Sequence, residues 1–144
     1  MRFTDQIKTD ILIHAPLPRV WAVLTDFPRW AEWNPFIRAL SGELRPGAPL
    51  VARMHPAQGR PMTFRPRIVA LTPGRGFAWQ GRLFMPGLFD GRHSFALTEE
   101  GGATRLQHGE TFRGLLVPLV PAQQFERDFH AMNAALKARA ELNV

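Results

Sequence analysis

His93, His108 and Glu110 are the residues whose types and spacing can support chemistry in this sequence. Read with the two-residue period of a β-strand, His93 shares a face with Phe95 and Leu97. On a later run Leu106, His108, Glu110 and Phe112 share a phase. Three polar groups thus occupy positions that the period assigns to an apolar interior. A buried polar group without a partner costs about 1–3 kcal/mol, so these side chains must meet one another, water or a ligand. A hairpin turning near Glu100-Gly101-Gly102 sets His93 opposite either Glu110 or His108, a two-residue choice of register that local sequence leaves open.

Three readings of the cluster follow. In the first it is a hydrogen-bonded network in a cavity wall, with Glu110 orienting a histidine and nothing reacting. In the second, Glu110 tunes a histidine near neutral pH, so that a proton moves to or from a substrate carbonyl. In the third, two histidines and a carboxylate match an iron or zinc set by composition, which requires all three to converge on one point. No metal and no cofactor is assigned. His14, His55 and His130 are isolated in sequence and are expected at the surface or in packing. The chain has no G-x-S-x-G, P-loop, G-x-G-x-x-G or H-E-x-x-H motif.

The elements that must position the cluster are short and punctuated. Ile7, Ile11 and Ile13 alternate with Lys8 and Asp10, which predicts a first strand over Asp5–His14. Pro16 and Pro18 suit a first helical turn, and Val20, Trp21, Val23, Leu24 and Phe27 follow at helical spacing. Pro28 breaks that run, and Trp30, Trp33 and Phe36 make a second short helix ended by Asn34-Pro35. Six strands are then expected, over Ile37–Leu44, Leu50–Met54, Met62–Leu71, Phe77–Phe84, Gly91–Thr98 and Thr104–Phe112, with Pro/Gly turns between them. Without helical crossovers they can only form an antiparallel meander. After Pro121, Phe125, Phe129, Met132, Leu136 and Ala140 trace one face of a helix of about 20 residues, long enough to cross a small sheet.

Composition bounds the function. The 144 residues suit one domain spanning 1–144, and 45% hydrophobic with 21% charged residues is ordinary for a globular chain. The absence of cysteine removes disulfides, thiolate metal sites and thiol nucleophiles. The N-terminal stretch lacks an uninterrupted apolar core and no 18-residue apolar run occurs, so neither export nor a transmembrane span is expected, and the cytoplasm is the expected compartment. The net charge of +6 comes largely from arginines spread singly, such as Arg19, Arg38, Arg67 and Arg92, without the dense block of a nucleic-acid footprint. No nucleic-acid partner is expected.

Several segments together resemble a known group. Val20-Trp21-Ala22-Val23-Leu24-Thr25-Asp26-Phe27 followed by Glu32-Trp33-Asn34-Pro35-Phe36 is similar to the opening of the SRPBCC, or START-like, superfamily. The resemblance continues through Phe89-Asp90-Gly91-Arg92-His93-Ser94-Phe95, through Thr104 to Phe112, and through Met132-Asn133-Ala134-Ala135-Leu136-Lys137. Within the superfamily the chain resembles small bacterial members of the polyketide cyclase/dehydrase and lipid-transport group, near those associated with carbon-monoxide dehydrogenase. The resemblance implies an α+β helix-grip fold: a seven-stranded antiparallel sheet wrapped around a long C-terminal helix, with two short helices after strand one and a cavity between sheet and helix.

The function expected on these grounds is binding or transport of a small hydrophobic ligand, such as a lipid, quinone or polyketide, without covalent chemistry. Met54, Phe64, Phe77, Trp79, Phe95 and Phe112 are the expected lining from the strands, with Phe125, Phe129 and Met132 from the last helix. The alternatives are a cyclase or dehydratase acting through His93, His108 or Glu110, and a protein-interaction module of the chaperone-activator type, which would have a filled interior. Trp21, Trp30 and Trp33 are expected to pack. The loop Leu115–Val120 can gate a pocket, touch a membrane or partner, or pack on the domain. A monomer and a homodimer are both compatible with the sequence.

Overall fold

The computed structural model describes residues 2–83 and 85–143. Strand β1 (Thr4–Ile13) leads into helices α1 (Leu17–Thr25) and α2 (Trp30–Trp33), with a single 3-10 turn at Phe27–Arg29 between them. Seven strands follow: β2 (Ile37–Gly42), β3 (Leu50–Met54), β4 (Met62–Phe64), β5 (Arg67–Thr72), β6 (Gly76–Leu83), β7 (Phe89–Glu100) and β8 (Ala103–Arg113). Helix α3 (Gln123–Ala140) closes the chain. This is the expected α+β helix-grip order. Phe84, the expected end of the sixth strand, lies outside the described residues.

Among the described residues the strand count differs from expectation, eight rather than seven. The run Met62–Leu71 was expected as one strand, but it breaks at Arg65-Pro66 into β4 and β5. Proline has no N–H for a ladder, and its fixed φ turns the chain. The break also divides the sheet, into a five-stranded part ordered β1-β8-β7-β6-β5 and a three-stranded part ordered β2-β3-β4. A bridge between Pro49 and Arg67 ties the two parts together, with the Leu50 N–H donating to the Pro66 carbonyl at 2.8 Å. All strand pairs are antiparallel.

The turn between β7 and β8 decides the register of the hairpin that carries the polar cluster. Glu100 pairs with Ala103 across a two-residue loop in which Gly101 and Gly102 have φ of 57° and 86°. Two successive positive φ values are the type I′ hairpin geometry, which glycine adopts without a steric penalty. Counting back from that turn places His93 opposite Glu110 and Phe95 opposite His108.

Helix α3 packs on β1 and β8 and against α1 and α2. Phe129, Met132, Leu136 and Ala140 are buried along its inner face, as expected, and Asn133 joins them. Burying each of the three large apolar side chains contributes about 1.5–3 kcal/mol, which outweighs the weak intrinsic helicity of an 18-residue segment without a side-chain cap. Its N-terminus is instead held by β1: the Asp5 carboxylate accepts the Ala122 N–H at 3.1 Å.

The aromatic residues of the short helices close one end of the core. Trp30 is fully buried, its indole N–H donates to the Leu24 carbonyl at 2.9 Å, and its ring lies within 6.2 Å of Phe27, Trp33, Trp79 and Phe95. Asn34 then turns the chain into β2 by accepting the N–H groups of Phe36 and Ile37, both at 2.9 Å. Trp30→Ala removes the indole that joins α2 to β6 and β7. It is expected to destabilise the protein by about 3–5 kcal/mol, read as a lowered urea midpoint with an unchanged slope.

Candidate functional site

The polar cluster crosses the sheet and reaches into α3. The paired strands β7 and β8 bring His93 and His108 together, Nε2 to Nε2 at 2.6 Å. Asn133 from α3 meets His108 Nδ1 through its amide oxygen at 2.7 Å, and its amide nitrogen donates to the Thr9 hydroxyl on β1 at 2.8 Å. The Thr9 hydroxyl donates to the His108 carbonyl at 2.7 Å. At the other end, Glu110 Oε1 lies 3.3 Å from His93 Nδ1. Thr9, His93, His108 and Asn133 are all buried, and Glu110 keeps 16% of its side-chain surface because it faces a cavity.

The direction of every hydrogen bond in this chain follows from its first link. A carbonyl only accepts, so the single Thr9 proton is committed to the His108 backbone, and the Thr9 oxygen must accept from the Asn133 amide nitrogen. The Asn133 oxygen then faces His108 and accepts from Nδ1–H. Neutral His108 is left with a bare Nε2, which accepts from His93 Nε2–H. Neutral His93 is left with a bare Nδ1, and with Glu110 Oε1 3.3 Å away a protonated Glu110 carboxyl is the group placed to donate there.

Electrostatics agree with this assignment. Burial pushes the Glu110 carboxyl up to about 8 and the His93 imidazole down to about 3. His108 is held well below its ordinary value, first by burial and then by the neighbouring His93, with the Asn133 hydrogen bond opposing. Charge on any of the three would be poorly solvated, so the neutral arrangement is favoured. The imidazoles are also sandwiched between aromatic rings: His93 stacks on Phe95 and Phe129, and His108 stacks on the same two rings.

A metal-ligand arrangement does not fit these distances. Two nitrogens on one tetrahedral zinc, each at about 2.0–2.1 Å from it, stand well over 3 Å apart. A 2.6 Å separation is that of a direct hydrogen bond.

The cavity lies between the sheet and α3, with a volume of about 300 Å3. Glu110 and the edge of His93 form its interior polar spot, while Arg82 and Gln124 are further polar side chains on the wall. Of the residues expected to line it, Met54, Phe64, Trp79, Phe112, Phe125 and Phe129 do so. Phe77, Phe95 and Met132 do not. Phe77 packs with Trp21 and Phe27 under the short helices, Phe95 lies behind His93, and Met132 is buried one turn beyond Phe129. His108 likewise stands behind His93 and does not reach the cavity, because alternation gives the face of a side chain but not its depth along the strand. The loop before α3 contributes Leu116 and Val120 to the wall and leaves Leu115 and Leu119 exposed.

Gly91 makes room for the polar spot. A Cβ at this position would collide with Glu110 Oε2, so only glycine lets the carboxyl lie against β7. Thr9 and Asn133 were not singled out from sequence, although a signal was present. Thr9 falls in the inward phase between Ile7 and Ile11, and Asn133 falls beside Met132 on the apolar face of α3.

The fold, with its cavity between sheet and helix, defines a helix-grip protein. The chain belongs to the family described as polyketide cyclase / dehydrase and lipid transport, whose profile matches residues 4–141. Among solved structures it is similar to ginseng major latex-like protein 151 from Panax ginseng, at 12% identity and a TM-score of 0.80, covering 97% of this chain and 99% of that one. It is also similar to the Zhui aromatase/cyclase from Streptomyces sp. R1128, at 19% identity and a TM-score of 0.75, covering 96% and 94%. Protein CV1439 from Chromobacterium violaceum matches at 20% identity and a TM-score of 0.71, covering 96% and 98%. At these identities the likeness is one of fold. The sequence matches none of the curated proteins. No helix among the described residues is long and apolar enough to cross a membrane.

The raised carboxyl has a sign that can be checked. The folded protein holds the Glu110 proton up to about pH 8, whereas the unfolded chain releases it near 4.5, so the Glu110 contribution to stability falls as pH rises through that window. His93 acts in the opposite sense below 6.5, because the unfolded imidazole takes up a proton that the folded one refuses down to about 3. Glu110→Gln keeps a donor and an acceptor but cannot ionise. Its stability relative to the wild type is expected to rise by roughly 1 kcal/mol per pH unit above pH 5 and to level off near pH 8, measured by urea denaturation across pH.

Proposed function

We propose that this protein binds and carries a small apolar molecule in the cavity between the sheet and α3, without a covalent step. The observation that carries this reading is the contrast within the wall. Met54, Phe64, Trp79, Phe112, Phe125 and Phe129 present apolar surface around one interior polar spot at Glu110. Such a site buries an apolar body and orients it by a single hydrogen bond. Membership of a family whose description includes lipid transport supports the same reading.

The cavity-facing Glu110 carboxyl leaves room for a second reading, a cyclase or dehydratase in which its proton turns from His93 to a poly-carbonyl substrate. The similar fold of the Zhui aromatase/cyclase supports it at the level of architecture. The reading needs more than binding: turnover must depend on a titratable group at position 110, while affinity for a purely apolar ligand must not.

Native mass spectrometry of gently purified protein is expected to show a retained small molecule. N-phenyl-1-naphthylamine is expected to bind one to one with a blue-shifted fluorescence. Val120→Trp, which places an indole in the cavity from the loop before α3, is expected to weaken that binding at least tenfold with the fold intact by circular dichroism. Failure of the wild type to bind the probe or to retain any small molecule would overturn the carrier reading.

A further inference from the structure

From the fixed direction of the hydrogen-bond chain we infer that the cavity selects apolar molecules bearing a hydroxyl group, an alcohol, phenol or enol, over those that carry only acceptors. The inference rests on the cavity being a ligand site. It adds the chemistry of the ligand's polar end.

The row of hydrogen bonds runs from β1 to the cavity. The Thr9 proton is committed to the His108 carbonyl, which forces Asn133, His108 and His93 each to donate towards β1 and to accept from the cavity side. At the end of the row Glu110 Oε1 lies 3.3 Å from the bare His93 Nδ1, and a protonated carboxyl is the group placed to donate to it. His93 is 2% exposed, so leaving that nitrogen unpaired would cost about 1–3 kcal/mol. The carboxyl proton is therefore spent inside the wall, and what Glu110 offers the cavity is an oxygen that accepts.

A ligand hydroxyl placed against Glu110 donates to that oxygen and completes the row. A ketone, an ether or an ester in the same place sets one acceptor against another and leaves both without a partner. A carboxylate adds a charge beside a group whose own ionisation is disfavoured there. The other polar side chains on the wall are Arg82, which is exposed, and Gln124 from the first turn of α3. Both can donate, so a ligand held by its carbonyl would be held there rather than at Glu110.

Three probes of one shape separate these cases at pH 6.5: 2-naphthol, 2-methoxynaphthalene and 2-naphthaldehyde, titrated against the wild type, Glu110→Gln and Glu110→Leu by calorimetry or by displacement of N-phenyl-1-naphthylamine. The wild type is expected to bind 2-naphthol about tenfold more tightly than either acceptor-only probe. Glu110→Gln copies the neutral acid, with its amide N–H on His93 and its oxygen towards the cavity, and is expected to keep the preference. Glu110→Leu is expected to bind all three within about twofold of one another.

Equal or tighter binding of 2-naphthaldehyde by the wild type would overturn the inference. If that binding disappeared in Glu110→Leu, the carboxyl proton would be aimed into the cavity; if it survived, the polar end would lie at Arg82 or Gln124. If no probe bound the wild type at all, the ligand-carrier reading itself would fail, a result distinct from a lost or inverted preference.

Discussion

Everything in the site depends on one buried hydrogen bond, from the Thr9 hydroxyl to the backbone carbonyl of His108, at 2.7 Å. A hydroxyl has one proton and a carbonyl has none, so this link cannot be reversed without orphaning a buried group. Its direction passes through Asn133 and both imidazoles to the wall of the cavity. A polar row that would be ambiguous in solvent is made unambiguous by burial, because each unmatched donor or acceptor would cost more than a net hydrogen bond contributes.

The same row couples the site to the fold. Thr9 is on β1, His108 and Glu110 on β8, His93 on β7 and Asn133 on α3. The three strands are neighbours in the sheet, and α3 packs directly on β1 and β8. The hydrogen bonds therefore cross the interface that the apolar side chains of α3 hold together. Phe129 belongs to both sets, since it is fully buried, stacks on both imidazoles and also faces the cavity. The grip of the sheet on the helix and the orientation of the polar spot are consequences of one packing arrangement.

Chemically, Glu110 and the edge of His93 are the members of the row that reach the cavity. His93 and His108 have the residue type of acid–base catalysts, but burial holds both imidazoles below their ordinary range, and three of their four ring nitrogens are hydrogen-bonded inside the row, with Glu110 Oε1 3.3 Å from the fourth. Glu110 combines a cavity-facing carboxyl with a raised ionisation, and Gly91 supplies the space it occupies. Two imidazoles thus stand behind one carboxyl at the interior end of the cavity.

Local sequence determined much of this. The alternation of β1, the helical face from Phe125 to Ala140 and the proline and glycine punctuation specify the order of elements, because each depends only on neighbours along the chain. The anomaly of His93, His108 and Glu110 in an apolar phase was visible for the same reason, and the Gly101-Gly102 pair marked the hairpin turn, while its register was settled only in the folded structure. Tertiary structure alone decided how deep each inward side chain lies, which put Phe77, Phe95, Met132 and His108 behind the cavity wall while Glu110 reached it. It also brought Thr9 and Asn133, 124 residues apart, into one hydrogen bond and so set the direction of the whole row. Periodicity specifies which face a residue takes; what it meets on that face depends on segments distant in the chain, and no local pattern encodes that.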